Sequence, residues 1–216
     1  MFIRNPTLAQ VNEAIRVAEL GGNPFLAFDP TFDPAAVAAI VDLRRRNLSV
    51  TNTSGLDLST SYDFAAGGSN FSLGVAGTYV LELDQQVTAS SQPIDTIDTY
   101  NNPPHWRGRA SFGWQRAGLA TNVFVNHTDS YTDNRLPTAP AEVGSWTTVD
   151  LRLAYDFSKR FDGGALSGLT IAAGAQNLLD KDPPRTAVLA VTDLGFDFTN
   201  ASALGRLISL EVTKTW

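Results

Sequence analysis

Residues 56–83 read LDLSTSYDFAAGGSNFSLGVAGTYVLEL, and this stretch decides the fold. Leu56, Leu58, Thr60, Tyr62 and Phe64 alternate with Asp57, Ser59, Ser61 and Asp63. From Phe71 the pattern resumes. Leu73, Val75, Gly77, Tyr79, Leu81 and Leu83 alternate with smaller or polar residues, ending at Glu82 and Asp84. Successive side chains of a strand point to opposite faces, so each arm is a strand with one apolar and one polar face. The Gly67-Gly68 pair between them marks a tight turn.

The same period of two recurs toward the end of the chain. Ala110, Phe112 and Trp114 alternate with Arg109, Ser111 and Gln115. Val149, Leu151, Leu153, Tyr155 and Phe157 alternate with Thr148, Asp150, Arg152 and Asp156. Ile208, Leu210, Val212 and Trp216 alternate with Ser209, Glu211, Thr213 and Thr215. Less regular strands are expected at about 119–131 and 168–179, which makes about seven in all. The connections alternate in length. Gly67-Gly68 and Ala117-Gly118 are short, and 159–167 is a moderate turn. Those at about 87–104, 132–144 and 180–203 are long and carry most of the prolines. An up-and-down antiparallel meander has this form, with turns at one end and elaborated loops at the other.

The first 45 residues have another character. Thr7 and Gln10 have capping-box spacing, Leu8, Val11 and Ile15 follow at helical intervals, and Gly21-Gly22 would end that helix. Asn23-Pro24, Asp29-Pro30 and Asp33-Pro34 mark a turn-rich link. Asp33 is a candidate cap for a second short helix, with Val37, Ile40, Val41 and Leu43 as its apolar stripe and Arg44, Arg45 and Arg46 in its last turn. The expected division is a 1–45 segment with two short helices and a 46–216 sheet.

Composition removes several function classes. Lys and Arg number 16 against 22 Asp and Glu, a formal charge of −6, which gives no positive field to hold nucleic acid. Without cysteine there is neither a disulfide framework nor a thiolate metal site. His105 and His127 are the two histidines. His127 with Asp129 lacks a nucleophile, so no catalytic set forms and the chain reads as a non-enzyme. Asp180 and Asp182 before Pro183-Pro184 fall short of the six to eight oxygens calcium takes, and read as turn residues. No cofactor is implied.

Alternation alone fits two architectures: a membrane-spanning sheet, or a soluble β-sandwich binding module, with glycans a candidate ligand. Strands of about ten residues or more suit a tilted crossing of the bilayer. Tyr62, Phe64, Phe71, Trp114, Tyr155 and Phe157 lie on the apolar parity beside the short turns, as a girdle at a membrane interface would, and Trp216 joins them.

At this point the residues resemble a family. GFDFTNASALGRLISLEVTKTW (195–216) and AAGAQNLLDKDPP (172–184) are similar to the last loop and strands of TonB-dependent outer-membrane receptors. RRNLSVTNTSGLDLSTSYDF (45–64), GTYVLELD (77–84) and PHWRGRASFGWQRAGLATNVFVNHTDSYTD (104–133) resemble earlier hairpins of the same barrel. The resemblance covers roughly 45–216. It implies an all-β fold, part of a transmembrane barrel that has 22 strands in the full family, with residues 1–45 as an external loop. It implies a bacterial outer-membrane receptor importing a scarce bulky solute: a siderophore, a cobalamin-like chelate or an oligosaccharide. A plug domain, a TonB-contacting segment and a signal peptide are not read in these 216 residues, so the chain is expected to be a C-terminal fragment without complete transport activity. The implied partners are outer-membrane lipid, the assembly machinery through the terminal strand, a small-molecule solute, and plug and TonB in a full-length receptor only.

Two residue sets follow. On the polar face, Asp57, Asp63, Glu82, Asp84, Arg107, Arg109, Asp150, Arg152, Asp156 and Glu211 would face the barrel lumen as a mixed-charge wall. In the turn Ala117-Gly118, paired residues sum to about 235, which sets Asn126 opposite Arg109. Solute contact is expected on the long loops, at His105 and Trp106, from Tyr100 to Asn102, from Tyr131 to Arg135 and from Phe196 to Asn200.

Overall fold

The structure is a computed structural model that describes residues 2–20, 32–41, 50–86, 91–161 and 163–216. It divides into two units, Met1–Leu48 and Ser49–Trp216, each taken by itself. In the first, α1 spans Leu8–Leu20. Thr7 and Gln10 cap it reciprocally: the Thr7 amide donates to Gln10 Oε1 at 2.8 Å, and the Gln10 amide to Thr7 Oγ1 at 3.3 Å. Asp33 does accept from the Ala35 amide, at 2.9 Å, but it caps a single 3-10 turn, Pro34–Ala36. The second helix expected beyond that turn is a strand instead. Ala39–Val41 pairs antiparallel with Phe2–Arg4, and the β-branched pair Ile40-Val41 suits a ladder better than a helix. Gly21-Gly22, Asn23-Pro24, Asp29-Pro30, Leu43 and the arginine run lie outside the described residues.

The second unit is the expected meander. Seven strands follow one another across a single sheet in chain order: β1 Val50–Ala66, β2 Ser69–Gln86, β3 Trp106–Arg116, β4 Leu119–Thr128, β5 Trp146–Asp156, β6 Leu169–Gln176 and β7 Leu207–Lys214. Two short additions belong to the loops. Ile94–Asp95 pairs with the far end of β2, and Tyr131–Asp133 pairs with Ala141–Val143. The hairpin turns use left-handed backbone, at Gly67 and Gly68 (φ 57° and 75°) and at Ala117 and Gly118 (φ 47° and 90°). Arg116 pairs with Leu119 and Arg109 with Asn126, the register expected.

Register lines up the two faces. One row runs across all seven strands: Tyr62, Leu73, Phe112, Val123, Leu151, Ala175 and Ile208. On the other face a parallel row reads Asp63, Ser72, Gly113, Asn122, Arg152, Gly174 and Ser209. Among the described residues of this unit, none covers the apolar face. Leu56 is 65% exposed, Leu210 74% and Ile208 78%. The buried apolar side chains among the described residues are Val11, Ile97, Tyr131, Val143 and Ala172, so those of this unit lie mostly in the loops and not beneath the sheet. The two-sheet sandwich reading therefore falls, because no second layer exists among the described residues. β1 and β7 are the sheet edges and do not pair with each other. No helix among the described residues is long and apolar enough to cross a membrane, which says nothing of strands.

One register shift corrects the sequence reading. A bulge between Ser54 and Gly55 sets Gly55 against Val80 but Ser54 against Glu82, leaving Leu81 as the extra residue. Beyond it Glu82 faces Ser54, whose hydroxyl donates to Glu82 Oε2 at 3.3 Å, and Asp84 faces Asn52. Ser54 and Asn52 have the parity of Leu56. Glu82 and Asp84 thus leave the face that carries Asp57 and Asp63.

Candidate functional site

The polar face is a wall of small side chains set with mixed charge. Thr78 donates to Asp57 at 2.6 Å, and Arg152 pairs with Glu211 at 3.1 Å across Gly174 and Ala172. Asn126 donates to Asp150 at 2.9 Å and to Thr148 at 3.3 Å. Asp150 also accepts from the backbone amide of Asn177 at 2.9 Å, so it ties the wall to the start of the last loop. Arg109 lies 4.2 Å over the Phe124 ring and makes no ion pair among the described residues. Arg109, Phe124, Asp150, Arg152, Gly174 and Ser209 line a shallow open hollow. Arg107, Arg109, Asp150, Arg152 and Glu211 all share this face by register.

The three long loops meet at the far end of the wall in two knots. In one, fully buried Asp197 accepts from the Asn101 amide at 3.0 Å, the Thr199 amide at 2.9 Å and Asn200 Nδ2 at 2.8 Å. Asn200 Nδ2 also reaches the Asn102 carbonyl at 2.9 Å, and its Oδ1 accepts from Arg107. Tyr131 is buried beside this carboxylate. Burial first, and then the Asp197 charge, push its phenol well above the usual tyrosine range. In the other knot, Arg135 grips both oxygens of Asp133, at 2.9 and 2.8 Å, and reaches Asp193 at 3.1 Å and the Ala187 carbonyl at 2.6 Å. The ring of Tyr100 lies 3.8 Å beneath its guanidinium. The Arg135 hydrogen bonds hold the Asp133 carboxyl below the usual range, against the opposing effect of burial. They raise the Arg135 guanidinium correspondingly.

The structure thus brings together Tyr100, Asn102, Tyr131, Arg135 and Asn200, though largely on one another. His105 sits at the edge of the group. Its amide donates to Asp98 at 2.6 Å, its Nδ1 donates to the Val80 carbonyl at 2.8 Å, and its ring stacks on Tyr79. Phe196 is half-buried, while Phe198 is 66% exposed. Trp106 corrects the expectation. It pairs with Tyr79 and lies over Gly77 and Gly108, on the apolar face and opposite in parity to Arg107. The signal was its even number, which it shares with Phe112 and Trp114. Of the carboxylates that organise the loops, Asp133 and Asp197 fall inside the expected spans but without this bracing role, and Asp98 and Asp193 were missed. The Asp197-x-Thr199-Asn200 spacing, which favours an Asx turn, was the available clue.

The apolar face carries aromatics at both ends. Beside the turns, Tyr62 stacks on Phe64, Phe64 on Phe71, and Tyr155 meets Phe157 edge-on. Beside the loops stand Tyr79 and Trp106. Trp106 and Trp114 are eight residues apart on β3. At about 3.4 Å per residue and a tilt of about 40°, that is roughly 21 Å of height, near the ~25 Å band of outer-membrane barrels.

Residues 22–178 match the family model described as "TonB dependent receptor-like, beta-barrel", a span that runs from ahead of β1 to just past β6. No curated protein and no solved structure matches the chain.

Proposed function

The chain belongs to the TonB-dependent receptor β-barrel family, and on that premise we propose that its seven strands form the C-terminal part of a larger barrel importing a scarce bulky solute. The family is one of outer-membrane receptors, transporters and not enzymes. The observation that carries the reading is the uncovered apolar face, rimmed with aromatics at both ends, set against a polar face of small and charged residues. A lipid-spanning sheet must close, because an open edge leaves amides and carbonyls unpaired in hydrocarbon. β1 and β7 therefore call for neighbours beyond these seven strands, which supports the fragment reading.

In this reading Arg107, Arg109, Asp150, Arg152 and Glu211 face the lumen. There they meet a plug domain and the permeating solute in a full-length, TonB-coupled receptor. Tyr62, Phe64, Phe71, Trp114, Tyr155, Phe157 and Trp216 stand at one headgroup layer, and Tyr79 and Trp106 at the other. Tyr100, Asn102, His105 and Phe196 contact the solute, a siderophore, a cobalamin-like chelate or an oligosaccharide, on a platform held by Tyr131, Arg135 and Asn200. Residues 1–45 form an external loop.

Cell fractionation and uptake test this in turn. The protein should sediment with outer membranes and require detergent, and a monodisperse detergent-free preparation would refute the membrane assignment. A strain lacking the gene should lose uptake of one solute class from a panel of iron chelates, cobalamins and oligosaccharides, and restoration by a full-length receptor carrying Tyr100→Ala and His105→Ala would remove the loop assignment.

A further inference from the structure

The two ends of the sheet differ in charge. The loop end, residues 91–105, 129–145 and 177–206, holds nine acidic and four basic side chains. The turn end concentrates cations. Arg116 closes β3 with the parity of Phe112 and Trp114, on the apolar face. The 3-10 turn Phe157–Lys159 lies against the Ala117-Gly118 hairpin. The Asp156 amide donates to the Gly118 carbonyl at 2.9 Å, and a Cβ on Gly118 would fall 3.2 Å from Lys159 Cβ. Lys159 and Arg160 are thereby seated beside the hairpin that ends in Arg116. All three are exposed, and none makes an ion pair among the described residues. The nearby Asp156 carboxylate is engaged by the Ser158 amide at 2.9 Å, and Asp162 lies outside the described residues. Tyr155, Phe157 and Phe161 form a contiguous aromatic cluster in the same turn.

We propose that this rim is a docking surface for the phosphate groups of anionic phospholipid in the leaflet that faces the short turns. The proposal rests on the reading that the apolar face meets lipid. Charge complementarity and depth support it together. The aromatics set the rim at headgroup level, and the long basic stems lie along apolar surface while their heads reach the phosphates. Each cation near an anionic surface strengthens binding by about fivefold. Three adjacent cations, without an ion pair among the described residues, therefore favour an anionic headgroup over a zwitterionic one, whereas the acidic loop end disfavours it.

The full chain in non-ionic detergent micelles is titrated with phosphatidylglycerol and, separately, with phosphatidylcholine, and bound lipid is counted by native mass spectrometry. Phosphatidylglycerol should bind at least about fivefold tighter. The triple variant Arg116→Gln, Lys159→Gln, Arg160→Gln should lose that preference, while Arg116→Lys with Arg160→Lys should keep it. Equal binding of the two lipids, or a preference surviving in the triple variant, overturns the docking surface and leaves the lipid-facing sheet standing. Binding of neither lipid overturns both.

Discussion

Asp133 shows how a single carboxylate governs the loops. It is almost wholly buried and answers Arg135, Ala187 and, through Arg135, Asp193. Removing one partner from a buried ion pair costs about 3–5 kcal/mol. Arg135 keeps some exposure, so Asp133→Asn should sit at the low end, read as faster proteolysis between 131 and 193. The pH dependence has a definite sign. The folded carboxyl is depressed, so its stabilisation is complete above the unfolded value of about 3.9 and is lost as pH falls through the folded value. Limited proteolysis should therefore be flat from about pH 5 to 8 and accelerate below about pH 4; acceleration near neutrality would implicate another group. At this scale the sequence was half legible. Alternation assigned Arg107, Arg109, Asp150, Arg152 and Glu211 to one face, because parity survives wherever pairing is regular. It could not tell that Tyr131, Arg135 and Asn200 would be occupied by neighbours some 50 to 100 residues away, since loop contacts leave no period. Trp106 was misassigned for the opposite reason: its parity was readable, and its place next to a proline-rich loop was given more weight.

Among the elements, the strands were legible because each carries its own face pattern and the hairpin turns fix register locally. Two features were not. The expected second helix had a good cap, yet Ile40 and Val41 found a strand partner in Phe2–Arg4, a non-local pairing that no local window contains. The bulge at Ser54/Gly55 inserts one residue without breaking the visible alternation, so Glu82 and Asp84 changed sides unannounced. The face assignment itself has a direct test. Val125 stands mid-height on the apolar face, paired with Ala110 and Val149. Val125→Arg should destabilise the inserted barrel by about 2–4 kcal/mol, while Asn122→Arg on the polar face should change stability little; urea titration in lipid vesicles measures both, and equal costs would refute the assignment. The Ala117-Gly118 turn offers a gain. Ala117 is held at φ 47°, which costs an L-residue about 1–2 kcal/mol. Glycine relieves this but loses about 0.5–1 kcal/mol of chain entropy. Ala117→Gly should then raise stability by roughly 0.5–1 kcal/mol in the same titration.

For the whole molecule, the end of the last strand bears on assembly. Trp216 is fully exposed, with the Lys214 ammonium 5.2 Å from its ring. That ammonium also donates to the Ala165 and Ser167 carbonyls, which fastens the strand end to the preceding turn. Trp216 thus does little for the fold itself, and deleting it from a full-length receptor should slow assembly while leaving the finished barrel as stable as before. Phe157→Ala, which breaks an aromatic cluster, should do the reverse. Pulse-chase assembly in cells separates the two, and equal rates for the deletion and the intact chain would exclude a recognition role. The uncovered sheet has a thermal consequence as well. Heat capacity rises on unfolding because water meets apolar surface that folding had hidden. On the proposed membrane reading that surface is hidden by lipid and stays so while the chain remains in the bilayer. Calorimetry in vesicles should give a heat-capacity increment well below the ~12–15 cal/mol/K per residue of water-soluble domains. The free energy of unfolding should then fall almost linearly with temperature, with no cold-denaturation limb. An increment of ordinary size would mean that water replaces lipid along the apolar rows as the strands part.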